Sequence, residues 1–216
     1  MPSPTRSNHR RIVGLVLSGL MGALLVVSKQ AMSGLPNIEP VTLLIILFAL
    51  ELPRETPAAI TVFILLQGVL YGFGLWWAMY LYIWYLLALL AWLFRRMDHA
   101  LFWAVFSGLY GLCFGGLCAV VYLFAKTPAF ALSWWLSGLS YDALHGVGNF
   151  AIMLVLYRPL RKALKAAKRQ IGYGSIKAFP RGGRRSFPKV SLSHEREAFL
   201  FTTYGRNCNF MVYYIG

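Results

Sequence analysis

Charge in this chain is confined to the breaks. From Ile12 to Tyr157 the sequence is a succession of long apolar runs, and Lys, Arg, Asp and Glu occur almost only where one run gives way to the next. A helix needs about 20 mainly apolar residues to cross a bilayer, and several of these runs have that length. The bulk composition agrees: of 216 residues, 58% are hydrophobic, 16% aromatic and only 13% charged, and the mean hydropathy is +0.60. Such numbers exclude an ordinary soluble domain and describe a polytopic membrane protein. The formal charge of +14 does not make it a nucleic-acid binder, because most basic residues sit at the ends of apolar runs or after the last one. That placement suits topology signals and anionic lipid headgroups.

Residues 1–10 form a polar arm, and the first apolar segment runs from about Ile12 to Ala31. No small-residue cleavage site follows it, so it reads as a retained span. It carries Gly14, Ser18 and Gly22 at four-residue spacing, a stripe that lets another helix approach closely. Two partners fit that stripe: a neighbouring helix of the same bundle, or a separate subunit. Ser33 to Asn37 is a turn, with Asn37 placed to cap the next helix and Pro40 in that helix's first turn. Segment two, Ile38 to Leu52, is short for a span; segment three follows Pro53–Pro57 and reaches about Tyr71. Segment four is Trp76 to Phe94 and segment five Leu101 to Phe124. The run from Ala129 to Tyr157 exceeds one perpendicular crossing, and Gly138 is the natural break. Phe130–Ser137 then reads as a short interfacial helix or lid, and Leu139–Tyr157 as segment six.

The expected fold is therefore all-α, with six transmembrane helices spanning residues 11–169. Six spans place both termini on one side. Arg6, Arg10, Arg11, Arg54, Arg95, Arg96 and the cluster from Arg158 to Arg169 share that side, against Lys29 and Lys126 on the other. Short loops rich in Lys and Arg stay cytoplasmic, so both termini are expected inside. Residues 170–216 lack helical periodicity and read as a disordered basic tail, or as a shifted reading frame near a natural stop.

The most informative stretch is Ser140 to Phe150, SYDALHGVGNF. On a helix, Asp142, His145 and Asn149 fall within about 60° of one another. Ionisable groups within a span normally face a protein interior or a wet cavity, which makes them candidates for function. The competing explanation is a hydrogen-bond cluster that holds helices together. With the expected topology, further polar and aromatic groups collect on the external half: Glu39 at the start of segment two, Gln67 and Tyr71 one turn apart, and Trp77, Tyr80 and Trp84 on one face of segment four. Trp76, Tyr82 and one of Trp134 and Trp135 are assigned to the interfacial belt. Aromatic rings beside a few convergent polar groups make a small-molecule pocket. Carboxylates at Glu39 and Asp142 would favour a cationic or amine-bearing aromatic ligand.

Other chemistries lack support. Cys113, Cys118 and Cys208 show neither a CxxC nor a Cys/His spacing, so no disulfide framework, zinc site or other metal site is indicated, and no cofactor is expected. There is no P-loop. An intramembrane enzyme would have to use Asp142 and His145, but no nucleophile elbow or HExxH accompanies them. A structural membrane protein is the third alternative.

Three stretches resemble the substrate-binding S components of energy-coupling-factor (ECF) transporters: LPNIEPVTLLII (Leu35–Ile46), YGFGLWWAMYLYIW (Tyr71–Trp84) and GLSYDALHGVGNF (Gly138–Phe150). The resemblance covers about residues 11–165 and leaves out the tail. It implies a multi-pass protein of a bacterial cytoplasmic membrane, without catalytic residues, that captures a vitamin-like micronutrient on the external side. It further implies a gate at Ser33–Asn37, and docking through Gly14, Ser18 and Gly22 onto a membrane coupling subunit driven by two cytoplasmic ATPases. By position and chemistry, the solute would meet Glu39, Gln67, Tyr71, Trp77, Tyr80, Trp84, Asp142, His145 and Asn149. The residues do not specify which solute.

Overall fold

In the computed structural model of the protein, residues 4–34 and 39–171 are described and belong to one unit. Every regular element in them is a helix: α1 (Pro4–Ala31), α2 (Val41–Glu51), α3 (Thr56–Tyr71), α4 (Leu75–Leu93), α5 (Ala100–Leu112), α6 (Phe114–Ala125), α7 (Pro128–Ser137) and α8 (Leu139–Gln170). Four stretches are long and apolar enough to cross a membrane: Arg11–Ala31, α4, Ala100–Ala125 and α8. The shorter α2 and α3 are also apolar. The chain is thus an all-helical protein of the multi-pass membrane type. The tail beyond Ile171, and Leu35, Pro36 and Asn37 of the expected gate, lie outside the described residues.

α2 occupies the centre. Its residues from Val41 to Ala49 are all buried, Val41, Ile45 and Ile46 completely. A helix that is apolar on every side is stable only when surrounded, and α2 is enclosed rather than lipid-facing. At about 16 Å it is far shorter than a hydrocarbon core.

Contacts between helix ends fix the order of the bundle. At one end, Lys29 of α1 meets Glu39 just before α2, and Tyr71 at the end of α3 donates a hydrogen bond to Gln30 of α1. At the opposite end, Glu51 closes α2 against Arg161 of α8 at 2.8 Å. Asp98, between α4 and α5, pairs with the same arginine. The chain therefore traverses the bundle back and forth, with α5 and α6 forming one interrupted traverse. We call the Lys29–Glu39 end the polar-site end and the Arg161 end the cationic end.

Several boundaries differ from those read in the sequence. The N-terminal arm is not a separate segment, since α1 begins at Pro4. Proline is well suited to a first helical turn because its φ is preset and its missing N–H would have had no intrahelical partner. Pro40 is the N-cap position of α2 rather than part of its first turn, and provides no side-chain cap. Segment five is divided at Cys113 into α5 and α6. Gly111, Gly115 and Gly116 flank the break, where weak helix propensity makes an interruption cheap. Gly138 separates α7 from α8 where expected, and Thr127 caps α7 by accepting a hydrogen bond from Phe130 N–H at 3.2 Å.

Between helices in lipid the hydrophobic effect gives little drive, so close approach and polar contacts decide the packing. α1 meets α3 in this way. A Cβ at Gly22 would lie 2.7 Å from Val62 Cβ and 2.9 Å from the Ala59 carbonyl oxygen. Ser18 is buried beside it and donates to the Gly14 carbonyl at 2.9 Å and the Glu55 carbonyl at 3.3 Å. Ser18 and Gly22 of the stripe thus serve the bundle's own interior, the first of its two expected partners. α3 covers Ser18 and Gly22, so those two positions are not open for a separate subunit.

Candidate functional site

The polar face of α8 is held against α5 by glycine. A Cβ at Gly111 would come within 2.8 Å of the His145 backbone, and one at Gly146 within 2.6 Å of Leu112. This close seat turns Asp142, His145 and Asn149 inward: they are 5%, 2% and 3% exposed. None faces lipid.

The three side chains then part company. Asn149 is a tie between helices. Its amide nitrogen lies 3.2 Å from Thr42 Oγ1 and 3.5 Å from the Ser107 carbonyl oxygen, while Ser107 Oγ donates to the Asn149 carbonyl at 3.2 Å. One polar cluster thereby joins α2, α5 and α8. Asp142 is divided. Its Oδ1 accepts from Gly115 N–H at 2.8 Å, so α8 supplies an acceptor for the first turn of α6, where a carboxylate also meets the favourable end of the helix dipole. Its Oδ2 has no hydrogen bond of standard geometry, although the Trp135 indole lies beside it. His145 is different again: neither ring nitrogen has a partner, and Asp142 and His145 do not hydrogen-bond to each other.

An aromatic ladder runs from His145 to the polar-site end. The imidazole packs edge-on to Phe114 with ring centroids 4.7 Å apart. Phe114 lies 5.6 Å from Trp84, and Trp84 lies 5.4 Å from Tyr80 in an edge arrangement. Phe63 stacks on Tyr80 at 6.0 Å and meets Trp84 edge-on at 5.9 Å. The Lys29 ammonium stands 5.8 Å from the Tyr80 ring centre and 2.6 Å from Glu39 Oε2. Glu39, Tyr80, Trp84 and His145 are therefore connected by packing.

Buried polar groups in native proteins are nearly always hydrogen-bonded, so those without a partner need a reason. Besides His145, the Gln67 amide nitrogen and the Trp84 indole nitrogen are buried and unpartnered. Trp84 sits inside the ladder; Gln67 is one turn beyond Phe63 on the same helix. The remaining expected site residues have other duties. Trp77 donates its indole N–H to the Ile64 carbonyl at 3.0 Å, tying α4 to α3. Tyr71 is half exposed and engages Gln30. Trp76, assigned to the interfacial belt, packs between Tyr71 and Tyr80 at 6.5 and 5.5 Å.

Four contributors escaped the sequence reading. Lys29 counts in the sequence only as a loop charge, although a lysine near the end of a span, ten residues before an acid, is a signal for pairing. Phe63 and Phe114 look like any apolar residue in a greasy helix. Gly115 had a fainter signal in its cluster with Gly111 and Gly116. Among the described residues, no three His, Cys, Asp or Glu side chains converge to hold a metal ion. Compared with known protein families, curated proteins and solved structures, the chain matches none of them.

Proposed function

We propose that the chain is the solute-binding membrane subunit of an importer of the energy-coupling-factor kind, residing in a bacterial cytoplasmic membrane with both termini inside. In this reading α2 and α3 complete six crossings, and the polar-site end faces outward. The protein captures a small vitamin-like micronutrient there and delivers it inward with a membrane coupling subunit and two ATPases. It performs no chemistry of its own. The observation that carries the proposal is the set of unpartnered buried polar atoms of His145, Trp84 and Gln67 beside an aromatic wall. A bound solute would supply their missing partners.

The same atoms narrow the solute. Glu39 is neutralised by Lys29, so it does not favour a cation, and Asp142 already serves Gly115. Gln67 and Trp84 present donors, and a neutral imidazole presents one donor and one acceptor. The site therefore suits a flat, uncharged heteroaromatic molecule carrying at least two hydrogen-bond acceptors, rather than the cationic ligand expected from the carboxylates alone.

The test is binding by the full chain in lipid nanodiscs, without nucleotide, against a panel of neutral and cationic heteroaromatic micronutrients. Saturable quenching of tryptophan fluorescence by a neutral member is the expected result. H145A should raise its Kd about tenfold, the worth of one hydrogen bond in a dry site. A folded sample that binds no member of the panel refutes the proposal.

A further inference from the structure

We infer that the cationic end of α8 holds a second site, for the phosphate-bearing headgroup of an anionic phospholipid. A cleft of about 610 Å³ opens there, and five of its lining residues are the cations Arg158, Arg161, Lys162, Lys165 and Arg169. Its volume falls in the range of small-ligand clefts, roughly 300–1,000 Å³.

The cations divide by helical face. Arg161 and Lys168 point to the α2 side, where Glu51 receives Arg161 at 2.8 Å and Lys168 at 3.9 Å. Lys165 reaches the same carboxylate at 3.6 Å, and Asp98 takes the other side of Arg161. Arg158, Lys162 and Arg169 recur at four and seven residues and share the neighbouring face. They have no acidic partner among the described residues. Glu51 and Asp98 already answer Arg161, so the positive charge of the cleft exceeds what this bundle neutralises. The floor is fixed: Arg161 donates to Tyr157 Oη at 2.5 Å and packs over that ring at 5.5 Å. The Tyr157 hydroxyl accepts this bond and keeps its own hydrogen to donate.

What selects a lipid over a soluble anion is the surface leading to the cleft. α8 is a candidate membrane span, and Leu154 and Val155, just before Arg158, are 44% and 69% exposed. An apolar strip thus runs for about one turn into the unneutralised cations along one side of the helix. An acyl chain fits the strip and its phosphate fits the cations. A lysine or arginine beside an anionic leaflet strengthens attachment about fivefold, so removing three weakens it on the order of 100-fold.

The experiment uses the full-length protein in detergent, titrated with phosphatidylglycerol or phosphatidylcholine, with retained lipid counted by native mass spectrometry. Preferential retention of phosphatidylglycerol is expected. It should fall on the order of 100-fold in the R158Q/K162Q/R169Q variant and persist in R95Q, a cation of the same side outside the cleft. Thermal unfolding of the triple variant establishes that it is folded; because all three side chains are exposed, its midpoint should match the parent's. Equal retention by the triple variant and the parent, or equal loss in R95Q, overturns the site. Displacement of the lipid by inorganic phosphate at matched concentration would assign the cleft to a soluble phosphate and overturn the lipid assignment.

Discussion

Gly115→Ala is the sharpest probe of how α8 is joined to α6. A Cβ at Gly115 would stand 2.4 Å from Asp142 Oδ2, 2.6 Å from Oδ1 and 2.8 Å from Cγ. Either the helices separate or the carboxylate swings away. Separation is overpacking, at about 1–3 kcal/mol. Swinging away breaks the 2.8 Å bond from Gly115 N–H to the Asp142 carboxyl, worth about 0.5–3 kcal/mol. Alanine's better helix propensity returns up to about 1 kcal/mol. From a mid-range cost of about 2 kcal/mol this leaves a net loss of about 1–2 kcal/mol, which for a chain of this size lowers Tm by roughly 2–8 °C. The assay is thermal unfolding of detergent-purified protein, repeated in a D142A background. There the carboxylate is gone, the methyl group has room, and G115A should cost almost nothing. The two substitutions must therefore couple by about 1–3 kcal/mol. If G115A lowers Tm equally in both backgrounds, the proposed contact between Gly115 and Asp142 does not account for its cost.

Two further substitutions test the packing of the bundle. G22I places a branched side chain against the α3 backbone and should reduce both the yield of monodisperse protein and Tm, by at least about 1–3 kcal/mol of overpacking. G19I, where nothing lies within 4 Å of a new Cβ, should behave as the parent; equal stability of the two variants would remove α3 as the partner of the stripe. N149L leaves Thr42 and Ser107 without their side-chain partner and should cost about 1–3 kcal/mol in thermal unfolding, while N149D with normal Tm would contradict the tie as drawn, since a carboxylate cannot donate to the Ser107 carbonyl.

Much of the architecture was legible in the residues because a bilayer permits few solutions. Long apolar runs bounded by charge dictate helices, and the excess length from Ala129 to Tyr157 forced the break found at Gly138. The inward face of Asp142, His145 and Asn149 followed from the cost of exposing such groups to hydrocarbon. What each of them does there was not legible. Only assembly of the bundle placed Thr42 beside Asn149 and Gly115 beside Asp142 and left the His145 ring nitrogens without a hydrogen-bond partner; the partners of Asn149 and Asp142 lie 107 and 27 residues away in the chain and share no periodicity with them. The same holds for Glu39 and for the Gly14–Ser18–Gly22 stripe. A sequence shows that an acid or a small-residue face seeks company; which lysine or helix provides it depends on the three-dimensional order of segments that local spacing does not encode.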